Sequence, residues 1–110
     1  MTRTLALIDA AIGSLKAARD DLRHTPDLLA PDLSAVIATI RELAWTLDTL
    51  NAVLVDRYGH LTGLGHDTGA DPAVTVERII ERLAHTRGCL NHADGLLGDA
   101  HNHAAKLHHH

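Results

Sequence analysis

The chain reads as all-α, an antiparallel bundle of three long helices, on three observations. Apolar residues recur at spacings of three and four through three separate segments. There is no Phe, one Trp and one Tyr, so the core must be built from Leu, Ile, Val and Ala. That choice favours close helix packing over a sheet. Prolines and a glycine-rich run fall between the periodic segments or at their first positions. The predicted helices cover about 4–23, 31–58 and 72–105.

In the first helix Leu5, Ile8, Ile12, Leu15 and Leu22 form one stripe, with Ala11 and Ala18 beside it. Gly13 lies inside that pattern and costs about 1 kcal/mol against Ala. Pro26 cannot continue the hydrogen-bond ladder and restricts Thr25, so the helix ends near His24. One short helical turn is expected at 26–29 before the second helix starts at Pro31.

The second helix carries two apolar stripes. One runs Val36, Ile40, Leu43, Leu47, Leu50, Leu54 and the other Ala38, Trp45, Ala52. At about 100° per residue Trp45 points roughly opposite Leu43 and Leu47. The first and third helices each offer one seam, enough to cover the Leu43 stripe but not the Trp45 side. That side calls for a second copy of the chain, unless the 26–29 turn folds over it. The expected partner interface is therefore Ala38, Arg41, Trp45 and Ala52, closed as a C₂ dimer.

Gly59 is placed to stop the second helix, and residues 59–70 form a loop rich in glycine and without period. Asp71 and Pro72 read as N-cap and first position of the last helix. Its seam, Ile79, Leu83, Thr86, Leu90, Ala93, Leu97, Ala100, Ala104, alternates four and three and persists through Gly88, Gly95 and Gly98. Large and small residues alternating along a seam let a neighbouring helix approach closely.

With 110 residues the chain is one domain, taken as 1–105. Residues 106–110 read as a cloning scar and polyhistidine tag, which removes three of the ten histidines from functional reasoning. Ten Lys and Arg against fourteen Asp and Glu give a net charge of −4. Nucleic-acid binders show a basic surplus or a basic face, so nucleic acid is an unfavoured partner. No apolar run approaches the ~20 residues of a membrane span, and no signal-peptide pattern opens the chain. Cys89 has no second cysteine to pair with, so a cytoplasmic location is expected.

Three local patterns suggest chemistry. His85, Cys89 and His92, at i, i+4 and i+7, share one side of a helix, where imidazole and thiolate suit zinc. A straight helix still cannot surround an ion with them without a ligand from elsewhere. Ala84-His85-Thr86-Arg87-Gly88 resembles the phosphoacceptor motif of histidine phosphotransfer domains, helical bundles of similar length. There Lys follows the histidine at three and Gly at four, whereas here Arg87 and Gly88 come one position early. The loop glycines with His60, His66 and Asp67 show neither a phosphate-binding G-x-x-x-x-G-K-[ST] nor a nucleophile, so a flexible linker is favoured. Glu42, Glu77 and Glu81 are the only glutamates and form no catalytic constellation. No enzyme and no cofactor are implied.

The opening amphipathic helix, the Leu- and Ala-rich central helix, Gly69-Ala70-Asp71-Pro72-Ala73 and the closing Asp99-Ala100-His101-Asn102-His103 resemble a group of short helical proteins from high-GC actinobacteria. That resemblance implies proximity to plasmid or integrative-element genes and supplies no catalytic or ligand residues. The expectation is a non-enzymatic helical interaction or adaptor protein, homodimeric through its central helix, with another protein as a further partner. The alternatives are a metal- or ligand-binding sensor on the His85/Cys89/His92 face and a phosphotransfer-like bundle.

Overall fold

The structure, a computed structural model, describes residues 2–109. It is all-α, with helices α1 (Thr2–His24), α2 (Ala30–Gly59) and α3 (Pro72–Ala104) and no strand among the described residues. None of these helices is long and apolar enough to cross a membrane.

Each boundary has a local cause. The Thr25 hydroxyl donates to the Asp21 carbonyl at 2.6 Å, and the Thr25 N–H uses the same oxygen at 2.8 Å, which closes α1. Pro26 then offers no N–H to go on with. The short helical turn expected at 26–29 does not form. Those residues are a bend, with Asp27 at φ 59, in the left-handed region that breaks a right-handed turn. Leu29, extended at φ −92 and ψ 157, enters α2, and its N–H donates to Asp32 Oδ2 at 3.1 Å. α3 opens as its sequence predicts: Asp71 Oδ1 accepts from the Ala73 N–H at 3.0 Å, and Pro72 stands first in the helix. Asp71→Ala should therefore cost about 1 kcal/mol. Thermal unfolding followed by circular dichroism checks this, with a fall in Tm of roughly 4 °C expected.

α2 and α3 pack as an antiparallel hairpin, and α1 packs against neither. The hairpin register is set by charge. Arg41 Nε donates to Asp94 Oδ1 at 3.0 Å, and Arg87 Nε donates to Asp48 Oδ1 at 2.9 Å. On both helices an Arg precedes an Asp by seven residues, two turns, so antiparallel docking matches each Arg to the other helix's Asp. Between the pairs Ala44 is buried, and Gly98 lies buried beneath the Arg41 guanidinium. A Cβ at Gly98 would come within 3.0 Å of Arg41 Cζ, so the missing side chain is what lets the arginine lie flat there. The contact line on α2 is thus Ile37, Arg41, Ala44, Asp48, Asn51, Val55, a stripe lying between the two apolar ones.

With α1 outside the hairpin the molecule extends 66 × 27 × 20 Å, and its radius of gyration is 19.0 Å. A close-packed chain of this length would have about 13 Å. The covering of the Leu43 stripe by both neighbouring helices, expected from sequence, is not found. α3 approaches α2 a quarter turn away from that stripe, and α1 does not reach it.

Candidate functional site

The hairpin geometry decides which surfaces remain open. On α2 the Leu stripe stands one residue before the contact line: Leu43 before Ala44, Leu47 before Asp48. On α3 the predicted seam does the same: Thr86 before Arg87, Ala93 before Asp94. A two-fold axis perpendicular to the plane of an antiparallel pair relates its helices, so equal offsets turn to the same side. The two seams therefore form one continuous apolar face. Leu43, Ile79, Leu83, Leu90, Ala93 and Leu97 are half-buried at its centre. Ile40, Leu47, Leu50 and Leu54 are 37–44% exposed along its α2 edge.

α1 presents a matching surplus. Leu5, Ile12, Leu15 and Leu22 are 38–55% exposed, and no residue of α1 is buried. Where α1 diverges from α2 the two helices enclose a cleft of about 630 Å³. Leu15, Leu22, Val36 and Ile40 line it, and Arg19, Asp21, Thr25 and Thr39 supply its polar groups. A cleft with apolar walls and few polar groups holds greasy side chains, and here it continues into the open face.

The opposite side of the hairpin is different in kind. Trp45, one residue after the contact line, is 61% exposed. The 26–29 segment does not cover it. Ala38 and Ala52 are half-buried, and Arg41 is engaged by Asp94 across the hairpin. Of the four residues expected at a partner interface, Trp45 is thus the one with a large free apolar surface. Gly88 and Gly95 follow Arg87 and Asp94 and lie on this same side, with nothing within 4 Å of where a Cβ would stand.

The residues singled out for chemistry disperse. His85, Cys89 and His92 are exposed on the outer face of α3, away from α2. Among the described residues no three His, Cys, Asp or Glu side chains are grouped to hold a metal ion. In the 60–70 loop, His66 Nδ1 meets the Thr68 hydroxyl at 3.0 Å and accepts from the Thr68 N–H at 3.1 Å, ordering a turn. His60 Nδ1 meets the Asp56 carbonyl at 2.7 Å, beside the end of α2. The C-terminal tail returns to the α1–α2 corner, where His109 Nε2 accepts from the Ala30 N–H at 2.8 Å.

What sequence reasoning missed is the pairing of Arg41, expected at a partner interface, with Asp94, and of Arg87 with Asp48. Asp48 is 8% exposed, the one buried charged group among the described residues. The signal was present as Arg-x₆-Asp on both central and final helices, but it acquires meaning only when the helices are paired. No family model matches the chain, and neither the curated proteins nor the solved structures include a match to it.

Proposed function

We propose that this protein is a non-enzymatic helical interaction module that homodimerises through its central helix and serves as an adaptor or accessory protein. The observation that carries this reading is the apolar face shared by α2 and α3, half-buried at its centre and exposed along its α2 edge at Ile40, Leu47, Leu50 and Leu54 in a single chain. Monomeric soluble proteins rarely expose a contiguous apolar patch beyond a few hundred Å². A second copy carries the same uncovered face, and a two-fold dimer covers both at once.

A second reading places the contact on the other side of α2, at Ala38, Arg41, Trp45 and Ala52, because Trp45 is 61% exposed. Fluorescence separates the two, since Trp45 is the one tryptophan of the chain. If the dimer forms through the Leu face, Trp45 emission keeps the position of a hydrated indole from low to high micromolar protein. Trp45→Asp then leaves the sedimentation coefficient unchanged. A blue shift that grows with concentration, abolished together with the dimer in Trp45→Asp, would select the Trp45 side. With its apolar surface still hydrated in the Leu-face dimer, Trp45 offers an anchor for a further protein.

A further inference from the structure

We infer that the dimer exchanges its first helices, the α1 of each copy lying on the open α2–α3 face of the other. This rests on the dimer reading above and says what fills the face. Three observations lead to it. The first is length: from Leu5 to Leu22 the α1 stripe spans about 26 Å, and from Val36 to Leu54 the α2 edge spans about 27 Å. The second is area. The chain exposes 8698 Å², against about 5,900 Å² for a folded monomer of its mass, a surplus of roughly 2,800 Å². Two such surpluses, about 5,600 Å² together, lie at the scale of obligate dimers, whose interfaces bury 2,000–5,000 Å² or more. Surface pairing of two hairpins alone would leave both α1 stripes in water.

The third is the connection between α1 and α2. Five residues link the helices, and both ends are pinned, Thr25 to the Asp21 carbonyl and Leu29 to the Asp32 carboxylate. Pro26 fixes one backbone angle in it, and Asp27 occupies the left-handed region. A short, stiff hinge that holds a helix off its own chain, with Leu15 and Leu22 meeting Val36 and Ile40 only across an open cleft, is the setting in which identical elements are exchanged.

Lengthening the hinge tests this. A Gly-Ser insert of about six residues between Asp27 and Leu28 lets α1 fold back onto its own hairpin as a flexible tether would. The expected result is a wild-type dimer and an insert variant that is monomeric, with its dimer dissociation constant raised at least 100-fold and its helical circular dichroism unchanged. If the insert variant dimerises as tightly as wild type, exchange is wrong and the dimer reading stands. A monomeric wild type overturns both. A second measurement does not depend on the insert: a benzophenone side chain in place of Ile12, in isotopically heavy and light chains refolded together. Exchange predicts α1–α2 cross-links of which half join heavy to light; cross-links confined within single chains would overturn it.

Discussion

Replacing Ile40 and Leu47 together by Asp is expected to leave a folded monomer. The two residues stand seven apart on the open edge of α2, 44% and 40% exposed in the single chain, so they contribute little to the hairpin itself. In the dimer each would lose its remaining contact with water. Full burial of such a side chain is worth about 1.5–3 kcal/mol, and less than half of that is still to be gained here. Each substitution counts twice in a symmetric dimer, and each brings a carboxylate that must be desolvated. Together they should cost at least about 3 kcal/mol, a rise in the dimer dissociation constant of more than 100-fold. Sedimentation velocity reads the association and circular dichroism reads the fold. Unchanged mass at unchanged helicity would remove this face from the interface.

The second large effect lies inside the hairpin. Arg87→Leu leaves the carboxylate of Asp48 without its 2.9 Å partner at a position only 8% exposed. Breaking a buried pair from one side costs about 3–5 kcal/mol, but the Arg87 side chain is 40% exposed and water screens part of this. About 2 kcal/mol is expected, read by urea unfolding at fixed protein concentration. Asp48→Leu combined with Arg87→Leu should recover most of the loss, because no stranded charge remains. Arg41→Leu should cost less than Arg87→Leu, since Arg41 and Asp94 are both more exposed than Asp48. If the double variant is as unstable as Arg87→Leu alone, the pair contributes through something other than charge compensation.

The three helices were legible because their ends are written in local chemistry: Pro26 after α1, Gly59 at the end of α2, Asp71 and Pro72 before α3. The sequence predicts a helical turn at 26–29 because a proline there suits a first turn, and nothing in it announces that Asp27 takes φ 59. The face that α3 uses on α2 was hidden for a different reason. Half of its contact line, Arg41, Asp48 and Asn51, is polar, so a search for apolar periodicity passes over it. Apolar stripes mark surfaces that must be covered, whereas the register of this hairpin comes from complementary charges on two helices. The Leu stripe and the α3 seam were each visible from sequence, and only the pairing shows that they form one face. Trp45, which the sequence predicts to be left over within the chain, is 61% exposed, although the larger uncovered area lies on the other side.

A chain that is completed by a second copy of itself reveals this in its mass in solution. Sedimentation equilibrium of protein lacking the terminal histidines, from low to high micromolar concentration, reads that mass. A species of twice the single-chain mass is expected across that range. A species of one chain mass at high micromolar concentration would mean that the chain is complete by itself.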